Sequence, residues 1–122
     1  MQLSVFVELA GLLRQLAQTA NEQNKEPLLR TVISRAYYGA FGHARQYAEA
    51  KRGFKPRGEA EDPKQLARLF TGKFGQVANR LTELRQMRNK ADYEENPPVQ
   101  WEPASEAALR DAKKIVEALK LT

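Results

Sequence analysis

Apolar residues recur at three- and four-residue steps along most of this chain, interrupted by short polar or proline-bearing breaks. After Ser4, whose hydroxyl suits an N-cap, Val5, Leu9, Leu12, Leu13, Leu16 and Ala20 follow that spacing and predict a first helix ending near residue 20. Residues 21–26 are polar and break the pattern. Pro27 then predicts the first turn of a second helix, because its missing N–H would be unpaired there in any case. In that helix Leu28, Leu29, Val32, Ile33, Ala36, Tyr37, Ala40, Phe41, Ala44 and Ala48 cover more than half the circumference. Such wide apolar coverage predicts a central helix, running to about Lys51 and touched by several neighbours.

Residues 52–62 hold two glycines, a proline and a run of charges, the composition of an exposed loop. Asp62-Pro63 predicts the N-cap and first turn of a short third helix through Phe70, closed by Thr71-Gly72-Lys73. From Phe74 a fourth helix carries Val77, Leu81, Leu84 and Ala91 on one stripe and must stop before Asn96-Pro97-Pro98. A loop over residues 94–104 carries three prolines and Trp101, expected to pin it to the bundle. Pro103 or Ser105 then starts a fifth helix with Ala108, Ala112, Ile115, Val116 and Leu119 inward. No strand-type alternation and no internal repeat survive inspection. The expectation is an all-α, antiparallel bundle of four to five helices, formed by residues 1–122 as a single domain.

Composition narrows the chemistry. With no cysteine, disulfides and thiolate metal sites are excluded, which fits a cytoplasmic setting. Met1-Gln2-Leu3-Ser4-Val5 lacks the basic leader of a secretion signal, and no segment approaches the roughly 20 apolar residues of a membrane span. No glycine-rich phosphate loop, metal-ligand spacing or nucleophile elbow is present, so neither a metal nor a nucleoside triphosphate cofactor is expected. The net charge of +5 is unevenly spread: residues 1–50 contribute +1, residues 51–90 contribute +7 and residues 91–122 contribute −3. A basic middle third has two readings, a polyanion-binding patch or a solvated surface.

Two segments draw attention. Arg88 falls on the apolar stripe of the fourth helix, where a permanent charge must be paired, face another chain or line a cleft that binds an anion. Asp92, four residues on, supplies the simplest pairing. In the second helix Tyr37 and Phe41 point inward, while Arg35, Tyr38, Gly39 and Gly42 share the other side. Two glycines inside a helix cost about 1 kcal/mol each relative to alanine, a cost tolerated where another backbone comes close, from a neighbouring helix or a second subunit. His43, the only histidine, lies in line with Ala36, Ala40 and Tyr47 and reads as a partly buried hydrogen-bonding residue or, less simply, as a catalyst.

Ser34-Arg35-Ala36-Tyr37-Tyr38-Gly39-Ala40-Phe41 resembles the helix opening of many HEPN proteins, a basic residue, alanine and a tyrosine pair. Leu84-Arg85-Gln86-Met87-Arg88-Asn89-Lys90-Ala91-Asp92-Tyr93 is similar to the arginine-to-Ala-Asp-Tyr segment of one bacterial and archaeal branch of that family. The resemblance spans the second to fourth helices. It implies a homodimer whose fourth-helix ends meet around an RNA-binding cleft. In active members an arginine, an adjacent polar residue and a histidine cut RNA without metal, with the 2′-hydroxyl as nucleophile.

Carried onto this chain, Arg88 takes the phosphate-stabilising role and Asn89 the polar position. Arg85, Lys90, Arg35 and Tyr38 are the surrounding nucleic-acid contacts. Tyr93 stands five residues after Arg88, where the family's histidine often stands, and a phenol is a poorer base at neutral pH than an imidazole. Asp92 is the alternative base, with Tyr93 as a donor to phosphate. The resemblance therefore implies a metal-independent endoribonuclease of a toxin–antitoxin or defence system, restrained by a partner such as a nucleotidyltransferase-like antitoxin. The other readings are a non-catalytic HEPN-like module that binds a partner protein, a nucleotide or RNA, and an unrelated helical adaptor.

Overall fold

The computed structural model describes residues 1–58 and 62–120, and among these there is helix and no strand. The elements are α1 (Val5–Thr19), α2 (Glu22–Lys51), α3 (Asp62–Arg68), a single 3₁₀ turn (Gly72–Phe74), α4 (Gly75–Tyr93) and α5 (Trp101–Ala118). Four long helices form the bundle, and α3 buttresses α4. α2 lies at its centre, packed on α1, α4 and α5, which is the position its wide apolar coverage predicts. α1 and α4 take opposite corners across the α2–α5 pair. One continuous core runs through Val32, Ile33, Ala36, Leu66, Phe70, Leu81, Leu84, Ile115 and Leu119. None of the helices is long and apolar enough to cross a membrane.

Several boundaries differ from the sequence expectation. α2 begins five residues before Pro27, because the Asn21 side chain accepts the Asn24 N–H at 3.0 Å and caps a start further upstream. Pro27 is thereby taken into the helix, and its own carbonyl also accepts the Thr31 hydroxyl at 2.8 Å. Ser4 holds the N-cap position of α1 without a capping side-chain bond. Asp62 is the first residue of α3, and its carboxylate accepts the backbone N–H groups of Arg57 and Gly58 at 3.1 and 2.8 Å, closing the preceding loop. In that loop Phe54 is partly buried on the core and residues 55–58 are exposed, while residues 59–61 lie outside the described part. Trp101 is itself the first residue of α5 and is buried.

The largest departure is in α1. Its buried residues are Val7, Ala10 and Ala17, whereas Val5, Leu9, Leu12 and Leu16, four of the residues that carried its periodicity, are exposed. The reason lies in α2. A Cβ on Gly39 would stand 2.7 Å from the Val7 nitrogen and 3.2 Å from the Phe6 carbonyl carbon, so the two backbones are in contact there. Gly42 leaves room instead for the Leu3 side chain, just ahead of α1. Close approach of this kind demands small residues on both helices and selects the face of α1 that carries Ala10 and Ala17. Of the two occupants considered for the glycine side of α2, the neighbouring helix of the same chain is the one found.

Candidate functional site around Arg88

The C-terminal end of α4 is held by a residue that the sequence reading passed over. Arg30 of α2 donates from Nη1 to the Glu94 carbonyl and from Nη2 to the Glu95 carbonyl, each at 2.7 Å, and lies 4.5 Å over the Trp101 ring. These are carbonyls at and just beyond a helix C-terminus, where the macrodipole is negative and a cation is favoured. Nothing in the spacing of Arg30 marks this role, because its partners lie more than sixty residues away. Ser34, one turn further along α2, donates its hydroxyl to Asp92 Oδ2 at 3.2 Å. Together they fix the last turn of α4 against α2.

One turn before Asp92, Arg88 has a side chain only 16 % exposed. Its guanidinium carbon lies 5.0 Å from the ring centroid of Tyr37, 5.8 Å from Tyr38 and 5.7 Å from Tyr93, all within cation–π range. Nη1 donates to the Tyr93 hydroxyl at 3.1 Å and is 3.9 Å from Asp92 Oδ2. At that distance the ion pair is loose, and Asp92 also serves Ser34. Asp92 is the carboxylate paired with the guanidinium, and three aromatic rings surround it. Burial raises the Tyr37 hydroxyl above the ordinary phenol pKa, and the positive charge of Arg88 acts against that shift.

The surface continues through Tyr38. Arg35 lies 4.7 Å over its ring and 5.9 Å over Phe6, so Tyr38 stands near two guanidinium groups while remaining 45 % exposed. Tyr93 is 72 % exposed. Beside this group a cleft of about 280 Å³ is lined by Tyr37, Phe41, Arg85, Gln86 and Asn89. Arg35, Tyr38, Arg88, Asp92 and Tyr93 thus come together, and Arg85 and Asn89 line the adjoining cleft. Lys90 joins neither group, since two residues along a helix turn it about 200° from Arg88. His43 is buried, and its Nε2 bonds the Leu119 carbonyl at the end of α5, so it ties α2 to α5.

No protein-family model, curated protein or solved structure matches this chain. The chemistry must be read from the side chains themselves.

A guanidinium held by π faces keeps most of its charge available to an anion, and exposed phenol rings on either side offer stacking surfaces. Among the described residues no group of three or more histidine, aspartate or glutamate side chains gathers as metal ligands would. The arrangement can bind a phosphate next to a planar ring. The Asp92 carboxylate, 3.9 Å from Arg88 Nη1, and the hydroxyls of Tyr93 and Tyr37 are the acid–base groups beside the guanidinium.

Proposed function

We propose that this chain is an RNA-directed domain of the HEPN type, in which Arg88 meets a phosphate and Tyr38 and Tyr93 stack with bases. One observation carries the reading: the two segments behind the resemblance, some fifty residues apart in the chain, converge on the guanidinium of Arg88 through Tyr37, Tyr38 and Tyr93. The basic excess of residues 51–90 supports it, because phosphate neutralisation dominates nucleic-acid affinity. Single-stranded RNA is the favoured form, since its unpaired bases are free to stack on exposed aromatic rings.

The test is RNA binding by fluorescence anisotropy over a range of salt concentrations. Arg88→Ala is expected to weaken binding and to lower the slope of log affinity against log salt by about 0.7, the value of one lost phosphate contact on a single strand. Tyr38→Ala should lose about 5- to 150-fold in affinity, the value of one stacked base, at an unchanged slope. Equal binding by the parent and both variants would refute the proposal.

A second reading, metal-independent cleavage, is favoured by the hydrogen bond from Arg88 Nη1 to the Tyr93 hydroxyl. In it Asp92 accepts the proton of the RNA 2′-hydroxyl, which attacks the adjacent phosphorus. Arg88 stabilises the charge on the phosphoryl oxygens, with Asn89 as the polar residue beside it, and the 5′-oxygen leaves with a proton from Tyr93. Fragments ending in 2′,3′-cyclic phosphate, made in EDTA by the parent and not by Arg88→Ala, are the expected products. Binding without such fragments would leave a non-catalytic RNA-binding module. Under the cleaving reading, a partner such as a nucleotidyltransferase-like antitoxin would restrain the activity by covering the Arg88 face.

A further inference from the structure

The cleft beside Arg88 is built from three helices. Tyr37 and Phe41 of α2 form its floor, with ring centroids 5.6 Å apart and planes inclined by only 18°. α3 closes one wall and carries Lys64 there, while Arg85, Gln86 and Asn89 of α4 line the other. Among the described residues no carboxylate lines the cleft, so with a cation on each wall it favours an electron-rich ligand. Its volume is about 280 Å³, just under the about 300 Å³ at which sites for whole small molecules begin. That is room for one planar base, with its ribose and phosphate left outside.

Of the three arginines of α4, Arg80 is 3.8 Å from Asp111 and Arg88 is 3.9 Å from Asp92. Arg85 is partly buried, yet among the described residues it makes no ion pair and no hydrogen bond. The Tyr37 hydroxyl feels the positive charge of both Arg88 and Arg85, so this ring is the partition between the Arg88 site and the cleft. Arg85 and Arg88 are three residues apart, roughly 4.5 Å along the helix axis and about 60° around it. A ligand group in the cleft is therefore next to a phosphate at Arg88.

We infer that this cleft takes one guanine base and that Arg85 is the residue that selects it. The inference rests on the RNA reading, in which the neighbouring phosphate sits at Arg88. A guanidinium is a planar fork of donors with no acceptor. Among the four bases guanine alone presents two acceptors side by side, N7 and O6, to such a fork. Adenine sets an amino donor beside its N7, and cytosine likewise offers an amino donor, so each would turn donor against donor. Uracil has a single acceptor on that edge. The side-chain amides of Gln86 and Asn89, on the same wall, supply carbonyl oxygens for guanine's ring N–H and amino group.

Anisotropy titrations of the full chain with short uridine oligonucleotides, each carrying one central guanosine, adenosine or cytidine, test it. The guanosine oligonucleotide is expected to bind about 5- to 150-fold tighter than the other two, the worth of one bidentate contact. Arg85→Gln should bring the guanosine-to-adenosine ratio to about one or below, since a carboxamide suits adenine, with the salt slope and helical circular dichroism unchanged. Equal binding of all three by the parent would overturn the inference and leave the RNA reading standing, as would an Arg85→Gln chain that keeps the preference. An Arg85→Gln chain that binds all three more weakly in equal measure, with a slope lower by about 0.7, would make Arg85 a phosphate contact and overturn base selection. Binding of none by the parent would overturn both readings. Guanosine monophosphate, titrated by calorimetry, separates the two sources of the base. It is expected to bind more weakly than the guanosine oligonucleotide, and an equal affinity would make a free nucleotide the ligand and overturn the RNA source.

Discussion

Replacing Gly39 by alanine isolates the contact that decides how α1 docks. In an unconstrained helix the change would stabilise by about 1 kcal/mol, because glycine forfeits that much relative to alanine. Here the added methyl would lie 2.6 Å from Val7 Cγ2 and 2.7 Å from the Val7 nitrogen. Relaxed separations are about 3.5–4.0 Å, so α1 would have to withdraw by roughly 1 Å. The neighbouring atoms include backbone, so a rotamer change cannot relieve the clash. Overpacking of this kind costs about 1–3 kcal/mol, and the residual strain together with loosened contacts at Val7 and Ala10 should exceed the propensity gain. We expect a net loss of up to about 2 kcal/mol, read as a lower urea midpoint at unchanged m-value. Gly11→Ala is the control: its Cβ would meet only Leu109 Cδ2 at 4.0 Å, so it should be neutral or stabilising by up to about 1 kcal/mol. A Gly39→Ala protein as stable as the parent would refute the backbone-contact account of the buried α1 face.

Two further outcomes follow from the ties around the site. Arg30→Ala removes two 2.7 Å charge-assisted bonds and the stack on Trp101, so it should cost about 2–4 kcal/mol and speed amide exchange over the last turn of α4. Arg30→Lys should recover less than half, since an ammonium cannot fork between two carbonyls, and full recovery would contradict this reading. For Tyr37, a folded-state pKa raised by burial means that its contribution is fully present below the unfolded phenol value, near 10, and is lost as pH climbs through the higher folded value. Tyr37→Phe should therefore lose less stability than the parent between about pH 8 and about pH 11, and equal losses in chemical denaturation would show that Tyr37 is not the group responsible.

Much of this architecture is written in the spacing of apolar residues. α2 as the central helix, α4 with Val77, Leu81, Leu84 and Ala91 inward, and α5 with Ala108, Ala112 and Ile115 inward all follow from a 3.6-residue period, which assigns side chains to faces before any neighbour is known. The same period put Arg88 on the inner stripe of α4 and Asp92 one turn on. Periodicity says which residues share a face and is silent about which face meets a neighbour. In α1 the leucine face was the more conspicuous, yet the alanine face is buried, because at Gly39 the backbones of α2 and α1 are in contact and leave no room for leucine between them. Pro27 lies inside α2 and Trp101 at the start of α5, both earlier helix starts than the sequence suggests, because local preferences set where a helix can begin while contacts such as the Asn21 cap set where it does.

The cluster around Arg88 divides in the same way. Sequence alone identified Arg35, Tyr38, Arg88, Asp92 and Tyr93 as residues of interest, but their meeting is a product of α2 packing against α4, and Lys90 was left out by its turn of the helix. Arg30 and Ser34 were invisible because the groups they hold, two backbone carbonyls and one carboxylate oxygen, come within reach only after the chain has folded. Local sequence determines helices and their faces through short-range sterics and hydrogen bonds. Which faces meet, and so which charges share a site, is decided by long-range packing, where a missing methyl at Gly39 outweighs the greater apolar area of four leucine-type side chains left to the surface.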